Sequence, residues 1–242
     1  MKAVPKLSIG VVVDERARAG LKGSYGLSLY LQTDSWRALV DVGPSDEVLA
    51  HNAKLMGIDL SKLDFVVITH DHPDHTGGLN ALRDSKRAVV YIPAGSSWRL
   101  QRAAEDLGLT VRRALSGGEI APGAFLLGQQ YGPPYEHALA VNLAGLGLVT
   151  VHGCSHPGPS RITAKAYNDT GVRPFVVVGG LHLAWSDPAH VASEVEKMLS
   201  LGVRLLVPLH CSGELVVEEA ARRGIVVRRA IAGDWIELPE GV

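Results

Sequence analysis

Four potential metal-binding side chains stand within six residues of the chain, shortly after an apolar segment. Residues 65–68 read Phe-Val-Val-Ile, a run typical of a buried strand, and Thr69 is followed by His70-Asp71-His72-Pro73-Asp74-His75. Imidazole nitrogens and carboxylate oxygens are donors for a borderline divalent metal such as zinc. A lone histidine at a strand end is usually not a ligand. Three histidines and an aspartate in this spacing predict a metal site.

The local geometry of this run favours a shared ion. Side chains alternate along extended backbone with a period of two, so His70 and His72 are expected to point to the same side. The proline that follows favours extended backbone before it and fixes the turn into a short helix, which we predict over 76–82. The last two donors of the run would then project towards a neighbouring position.

Composition restricts the partners of the chain. The 242 residues are 46% hydrophobic and 20% charged, as in folded globular proteins, and 24 basic against 25 acidic side chains give a formal net charge of −1. This balance gives no general attraction to nucleic acid or to an anionic membrane. We therefore expect a small-molecule substrate and neither of those partners, and the oligomeric state stays open.

No segment of the chain predicts export or membrane insertion. The apolar run at 7–13 stops at Asp14, and the longest nearly uncharged stretch, 138–151, is shorter than the roughly 20 residues of a spanning helix. Two cysteines, Cys154 and Cys211, are too few for a disulfide framework. We predict a cytoplasmic protein with one domain over residues 1–242, because no linker divides it.

Strand and helix patterns alternate along the chain in two similar halves. Helices are predicted over 46–56, where Ser45 is the cap, and over 76–82, 98–107, 160–169, 189–201 and 216–223. Strands are predicted over 27–31, 38–41, 64–69, 88–92, 124–127, 138–143, 147–152, 175–178 and 205–209. An α/β mixture of this kind predicts two sheets packed together with helices outside.

Three further histidines follow predicted strands in the second half. His156 closes a Gly-Cys-Ser-His motif after the strand at 147–152, and His182 comes four residues after the strand at 175–178. His210 directly follows the strand at 205–209. Sites in layered α/β proteins form at the carboxyl ends of strands. Each of these motifs is weak alone, but together they supply ligands that a short local cluster lacks.

The histidine run resembles the signature of the metallo-beta-lactamase superfamily, which is His-x-His-x-Asp-His after a buried strand. Asp41-Val42-Gly43 is similar to the strand-end Asp-x-Gly that precedes this signature, and the resemblance extends over nearly the whole chain. It implies an αββα sandwich with the metals at one edge. Five more motifs are similar to a subgroup in which some members are named dihydropterin-(ribofuranosyl)aminobenzene 5′-phosphate synthase: Gly26-Leu27-Ser28-Leu29, His75-Thr76-Gly77-Gly78-Leu79, Gly153-Cys154-Ser155-His156, Gly179-Gly180-Leu181-His182-Leu183 and Pro208-Leu209-His210-Cys211-Ser212-Gly213.

This resemblance implies two metal positions. The first ion would be held by His70, His72 and His156, and the second by Asp74, His75 and His210. Asp41 would orient a ligand histidine through its other ring nitrogen. The implied cofactor is zinc, as one or two ions, with manganese, iron or magnesium as alternatives.

One position departs from the superfamily pattern. An aspartate usually bridges both metals after the strand that corresponds to 175–178, but Gly179-Gly180 stands at that place here. Asp74 and a bridging hydroxide would offset only two of the four positive charges of two divalent ions. Three interpretations stay open: one ion is held weakly, His182 replaces the missing ligand, or an anionic substrate completes the site.

The function predicted from these residues is metal-dependent hydrolysis of a small, phosphorylated or pterin-related substrate by a metal-activated water. Asp74 and His182 are the candidate catalytic residues, and Glu136 and His182 are candidate substrate contacts. For both cysteines, packing as small buried residues is favoured over thiolate ligation. The alternatives are a synthase or redox enzyme on the same fold, and a non-catalytic metal- or ligand-binding protein.

Overall fold

Two seven-stranded sheets form the centre of the structure, a computed structural model that describes residues 1–239. The strands in this range are β1 (Leu7–Val13), β2 (Ser28–Gln32), β3 (Arg37–Val40), β4 (Phe65–Val67), β5 (Val89–Pro93), β6 (Thr110–Ala114), β7 (Gly118–Ala121), β8 (Ala124–Leu126), β9 (Gln130–Tyr131), β10 (Tyr135–Glu136), β11 (Leu139–Leu143), β12 (Gly147–His152), β13 (Pro174–Gly180), β14 (Leu205–Leu209), β15 (Val226–Val227) and β16 (Trp235–Leu238). The first sheet has the order β16-β1-β2-β3-β4-β5-β6, and the second has the order β15-β14-β13-β12-β11-β8-β7. β9 and β10 pair as a separate hairpin.

Helices pack on the outer faces of both sheets. The α-helices in the described range are α1 (Asp46–Leu55), α2 (Pro73–Thr76), α3 (Trp98–Asp106), α4 (Pro159–Thr170), α5 (Pro188–Leu201) and α6 (Glu214–Arg222). Strand β13 shows how the layers form, because Val176 and Val178 face the core between the sheets whereas Val177 packs with residues of α5 and α6. Buried residues of α1 and α3 pack on the first sheet in the same way. The arrangement is the αββα sandwich that the sequence predicted.

Most predicted elements lie within two residues of the observed ones. Helix α1 begins where its cap predicted, since the Ser45 side chain accepts a hydrogen bond from the backbone N–H of Val48 at 3.3 Å. The sequence did not predict the short or polar strands β6, β7, β9, β10, β15 and β16, and it identified β1 only as an apolar run. These edge and hairpin strands carry little of the apolar pattern on which a strand prediction depends.

The helix predicted over 76–82 was wrong in its bounds. Helix α2 begins at Pro73 and ends at Thr76, and a separate 3-10 turn follows over Leu79–Leu82. The two glycines between them lie against neighbouring backbone: a Cβ on Gly77 would be 2.0 Å from the Pro44 carbonyl oxygen, and one on Gly78 would be 2.0 Å from that of Val42. This contact interrupts the helix and holds the histidine run against the loop after β3.

The sheet topology brings distant parts of the chain to one edge. β3, β4 and β5 run parallel in the first sheet, and β12, β13 and β14 run parallel in the second. The carboxyl ends of parallel strands meet at the same edge of a sheet, and a ligand site is expected there. The loops after β3, β4, β12, β13 and β14 contain every metal-ligand candidate of the sequence.

Two predictions concern the chain as a whole, namely membrane insertion and the number of domains. None of the helices in residues 1–239 has the length and apolar character that crossing a bilayer requires. The single domain predicted over 1–242 stays a prediction, and its last three residues lie outside the described range.

Candidate metal centre

Three histidines from two loops converge on one point. The ligand atoms of His70, His72 and His156 all lie within 4.8 Å of one another. His70 Nε2 is 3.2 Å from His72 Nδ1, and the ring centroid of His156 is 4.8 Å from that of each of the other two. The structure therefore brings together the three residues that the sequence assigned to a first ion, and we call them the first triad.

A second group of donors lies beside the first. The ligand atoms of Asp74, His75 and His210 also lie within 4.8 Å of one another. Oδ2 of Asp74 is 3.5 Å from His75 Nε2 and 3.3 Å from His210 Nε2. These residues, the second triad, are those that the sequence assigned to a second ion. The ring centroids of His70 and His75 are 4.2 Å apart, so the two triads are neighbours.

Asp41 is fully buried and holds one histidine of each triad. Its Oδ2 accepts a hydrogen bond from His75 Nδ1 at 2.7 Å and one from the Thr69 hydroxyl at 2.7 Å. The Thr69 oxygen in turn lies 2.9 Å from His70 Nδ1. With Nδ1 donating in both rings, the Nε2 lone pairs of His70 and His75 are left to bind a metal. The sequence placed Asp41 beside a ligand histidine but did not find Thr69.

His210 is held by acidic residues that the sequence analysis missed. Glu15 Oε1 accepts from His210 Nδ1 at 2.6 Å, and Asp14 Oδ1 accepts from the backbone N–H of His210 at 2.8 Å. The hydrogen bond from Nδ1 leaves Nε2 of His210 free to act as a ligand. The available signal was an acidic pair directly after the apolar run of β1. Its partner is 195 residues away, so only the fold reveals it.

Glu136 has a different position from the one expected. Its carboxylate is fully buried, Oε1 accepts from the backbone N–H groups of Cys154 and Ser155 at 3.0 and 2.8 Å, and Oε2 accepts from that of His156 at 2.7 Å. Both oxygens are thus occupied by one loop and do not face a cavity. The expected role as a substrate contact is corrected: Glu136 holds the loop that presents His156.

Backbone strain is concentrated at this edge of the sandwich. In residues 1–239, the non-glycine residues with positive φ are Asp41, Ser155, His182 and His210, with φ of 59°, 68°, 53° and 50°. Left-handed backbone is unfavourable for residues that carry a Cβ, and such strain clusters at functional sites. Ser155 and His210 lie in segments that carry triad residues, and Asp41 and His182 lie in the neighbouring loops after β3 and β13. The fold therefore stabilises an unfavourable backbone where the donors converge.

The electrostatics of the donors suit a cation. Burial and, to a smaller extent, the nearby histidines together lower the pKa of His156 to about 4, so the ring is neutral and its lone pair is available. Burial opposes ionisation of Asp74, but the neighbouring His210 and His75 rings outweigh it and lower the pKa of the carboxyl to about 2. Burial likewise disfavours the charged form of His210, but the neighbouring carboxylates of Asp74 and Glu15 raise its pKa to about 10, so a metal ion at Nε2 would take the place of a proton. The Asp74 carboxylate thus draws positive charge to the second triad.

His182 lies on the solvent side of the first triad. Its ring centroid is 4.4 Å from that of His156 and 5.8 Å from the ring of Trp185, and its ligand atom lies within 4.8 Å of those of His156 and Cys154. Its backbone N–H is 3.3 Å from Cys211 Sγ. The structure therefore places His182 at the site, exposed to whatever enters it.

A cleft opens beside the second triad. It has a volume of about 440 Å³, and its walls include Tyr25, Trp185, Arg16 and Arg229 together with His210. The two aromatic side chains are 53% and 70% exposed, and the Tyr25 ring centroid is 4.7 Å from that of His210. The sequence alone identifies neither aromatic residue, because a lone exposed tyrosine or tryptophan forms no recognisable pattern. Exposed aromatic rings beside donor histidines form a surface on which a planar group can stack.

The residues present fit a divalent metal. The Nε2 atoms of His156 and His210 are buried and have no hydrogen-bond partner within the described part of the chain. An unpartnered buried polar atom is costly and needs an explanation, which a ligand supplies. Imidazole with a carboxylate is a donor set typical of zinc and related ions. We find no comparable convergence of donors away from these loops in residues 1–239.

Comparison with known proteins agrees with this geometry. The family model of the metallo-beta-lactamase superfamily matches residues 21–202, which contain strands β2 to β13 and every triad residue except His210. The chain belongs to the metallo-beta-lactamase superfamily. Membership implies metal binding, and the two triads are among the groups of donors that could hold an ion.

Individual relatives share the fold over most of their length. Tm1679, described as a metal-dependent hydrolase of the beta-lactamase superfamily, has a TM-score of 0.80 and 27% identity, with 95% of this chain and 98% of that chain covered. The metallo-beta-lactamase fold protein YhfI from Bacillus subtilis has a TM-score of 0.70 at 14% identity, over 96% and 99% of the two chains. A protein of Methanocaldococcus jannaschii named 7,8-dihydropterin-6-methyl-4-(beta-D-ribofuranosyl)-aminobenzene-5′-phosphate synthase is 25% identical over 238 residues, which is 78% of this chain and 81% of that protein.

Proposed function

We propose that this superfamily member is a zinc-dependent hydrolase of small phosphorylated substrates that carry a planar, pterin-like ring. The observation that carries the proposal is the pair of adjacent triads beside an aromatic cleft. Two metal positions that share a substrate are suited to hydrolysis of phosphoryl and acyl compounds. Iron, manganese or magnesium in the same donors is the alternative to zinc.

The residues of the site divide the work of such a reaction. A bound metal would supply a nucleophile from water at neutral pH and offset the negative charge that develops on the attacked centre. Asp74, ionised and one-fifth exposed, accepts a hydrogen bond from the attacking water and so orients it. His182 lies at the open side of the first triad and can give a proton to the leaving group.

The shape and charge of the cleft support the substrate class. Tyr25 and Trp185 offer two exposed rings for stacking, and Arg16 and Arg229 line the same cleft together with the carboxylates of Asp14, Glu15 and Glu214. Arg229 is paired with Glu214, and the Arg16 side chain is exposed. An aromatic compound with a phosphate group would use both features. The name of the Methanocaldococcus jannaschii relative, a pterin and aminobenzene phosphate, describes a compound of this chemistry.

The first test is a metal count on freshly purified protein. We expect zinc in the wild type, and we expect His72→Ala and His156→Ala to lose both metal and turnover because each removes a donor of the first triad. His190→Ala, an exposed histidine on α5, is the matched control and should keep both. Full metal occupancy in both triad variants would contradict the assignment of the ligands.

The second test concerns the substrate. Trp185→Ala is expected to raise KM for aromatic phosphate esters about 2- to 10-fold, the value of one aromatic contact, with metal content unchanged. Trp98→Ala is the matched control, because Trp98 is 69% exposed, compared with 70% for Trp185, but is not part of the cleft. A metal-loaded protein without turnover on esters, lactones, phosphomonoesters and phosphodiesters would refute the hydrolase and favour a binding protein.

A synthase is the second candidate, because the relative of Methanocaldococcus jannaschii carries that name. In this case the same donors and cleft would bind two substrates and form a bond between them, with an anionic leaving group expelled from one of them, instead of cleaving a bond with water. The two candidates differ in the product, so incubation in ¹⁸O-labelled water followed by mass spectrometry separates them. Label in the product indicates hydrolysis, and elemental analysis with an absorption spectrum identifies iron or manganese if redox chemistry is involved.

A further inference from the structure

In this chain, neighbouring atoms fill the space that the bridging carboxylate is expected to occupy in the superfamily. Gly180 ends β13 where an aspartate is expected in the superfamily, and a Cβ there would lie 2.3 Å from the carbonyl oxygen of Gly153. It would also lie 3.0 Å from Cys211 Sγ and 3.3 Å from Cys154 Cα. No side chain fits, because backbone and thiol already fill the space. A side chain shared by the two metal positions must therefore come from another residue.

Cys154 places its sulfur between the two triads. Its Sγ is 3.2 Å from His75 Nε2, and it forms one group with His70 and His75 whose ligand atoms lie within 4.8 Å of one another. Two more such groups join the same Sγ to His156 and to His210. The sulfur is therefore within 4.8 Å of two donors of the first triad and of two donors of the second.

A second observation points independently to a ligand at this position. The His210 side chain is fully buried, and its Nε2 makes no hydrogen bond among the described residues, although it lies 3.3 Å from Oδ2 of Asp74. That nitrogen belongs to the same group as Cys154 Sγ. The loop that carries Cys154 is also fixed, since Glu136 accepts the N–H of Cys154 at 3.0 Å. This loop thus directs the buried sulfur towards the space that the His210 nitrogen faces.

We propose that the thiolate of Cys154 is the ligand shared by the two metal positions and takes the place of the missing carboxylate. The proposal rests on the metal centre of the proposed function. A thiolate is a strong ligand for zinc, and on binding the thiol releases its proton to solvent. The thiolate adds a negative charge to that of Asp74, which reduces the charge imbalance found in the sequence. Packing alone, the role that the sequence favoured for Cys154, does not account for its central position.

Cys211 is the natural control because it is equally buried but lies to one side. Its sulfur accepts the backbone N–H of His182 at 3.3 Å and lies 3.7 Å from the carbonyl oxygen of Cys154. It belongs to one of the donor groups, compared with three for Cys154. Cys211 therefore fills the space beside Gly180, and Cys154 faces the donors. The chain contains no other cysteine.

X-ray absorption at the zinc edge of the full-length, zinc-loaded protein tests the proposal. Sulfur at about 2.3 Å is separable from nitrogen or oxygen at about 2.0–2.2 Å. We expect a sulfur shell in the wild type, its loss in Cys154→Ser and its retention in Cys211→Ser. Cobalt substitution gives a second readout, since a sulfur-to-cobalt charge-transfer band should appear in the wild type and in Cys211→Ser and be absent from Cys154→Ser.

The sulfur shell of the wild type and of the two variants decides whether Cys154 binds the metal. A sulfur shell that survives in Cys154→Ser, or that disappears in Cys211→Ser instead, would overturn the proposal. A zinc-loaded wild type without sulfur would overturn it too but leave the proposed function intact, whereas a protein that binds no metal would overturn both. If Cys154→Ser does not fold, retention of the sulfur shell in Cys211→Ser still assigns the thiolate to Cys154, because only two cysteines are available.

Discussion

The substitution Asp41→Asn should make one histidine in each triad a poorer metal ligand without disturbing the fold. The carboxylate accepts from Thr69 N at 2.6 Å, from the Thr69 hydroxyl at 2.7 Å and from His75 Nδ1 at 2.7 Å. An amide has only one acceptor oxygen. If this oxygen keeps the Thr69 N–H, the amide NH₂ faces His75 and the hydroxyl. The His75 ring must then accept at Nδ1 and carry its proton on Nε2, the atom that would bind the metal.

The change passes on to the other triad through Thr69. Its hydroxyl now accepts from the amide and turns its proton towards His70 Nδ1, which lies 2.9 Å away. The proton of His70 therefore also moves to Nε2. Loss of such an orienting partner typically weakens metal binding about 10- to 100-fold, so we expect both positions of Asp41→Asn to lose affinity by that factor.

The metal-free protein should lose only a little stability. One imperfectly replaced acceptor costs about 2 kcal/mol, which lowers Tm by roughly 4–8 °C in a domain of this size. Asparagine tolerates the left-handed backbone of Asp41, where φ is 59°, so the substitution isolates the hydrogen bonds from strain. Zinc competition with a chromophoric chelator measures the affinities, and thermal unfolding measures the stability.

Asp64→Asn is the matched control for this experiment. Asp64 stands just before the amino end of β4, remote from the metal edge, and its Oδ2 accepts from Arg37 N at 2.9 Å. This variant should keep wild-type affinity at both positions. If Asp41→Asn keeps it as well, the orienting role of Asp41 is refuted. If Asp41→Asn loses affinity at only one position, the relay through Thr69 is wrong.

Three further predictions concern stability. Burial lowers the pKa of His152 to about 3 in the folded state, below its unfolded value. The neutral ring therefore contributes stability that is lost as the pH falls below about 6.5. In metal-free protein the free energy of unfolding should fall by about 2 kcal/mol between pH 7 and pH 5 through this ring. Chemical unfolding at both pH values should show a loss that is about 2 kcal/mol smaller in His152→Gln than in wild type or in the exposed control His190→Gln, because the other buried histidines still contribute. Equal losses in all three would contradict the account. Gly180→Ala should lower the free energy of unfolding by about 1–3 kcal/mol or more, because its Cβ would lie 2.3 Å from a carbonyl oxygen. Gly118→Ala, with open space around it, should unfold like the wild type. Equal stability of the two variants would show that the backbone adjusts. Ser45→Ala should cost about 1 kcal/mol through loss of the cap of α1, and an unchanged Tm would show that the cap contributes nothing.

Local patterns in the sequence predicted much of the fold. The apolar runs of β4, β13 and β14 sit between two layers and show it in their composition, and the cap at Ser45 defined the start of α1. The His70–His75 spacing identified the metal loop, since ligands close in sequence leave a signature. The resemblance to a known superfamily then assigned the distant histidines to the two triads.

Long-range contacts account for what the sequence could not show. The Glu15 carboxylate accepts a hydrogen bond from His210 across the sandwich, and the sequence around either residue gives no indication of this contact. The central position of Cys154 depends on the loop that Glu136 holds, and a carboxylate that binds backbone N–H groups has no sequence signature. The early end of α2 at Gly77 and Gly78 likewise depends on backbone from another loop.

The four left-handed residues of the metal edge have a consequence for how such a chain evolves. At roughly 1–2 kcal/mol each, their strain sums to about 4–8 kcal/mol, comparable to the net stability of an ordinary domain. Glycine at His182 or His210 would relieve part of this strain, so the protein would be more stable but would lack a side chain of the site. Selection for stability alone would therefore favour glycine at these two histidines. Variants chosen only for heat resistance should lose them first, whereas selection for the chemistry of the site would retain them.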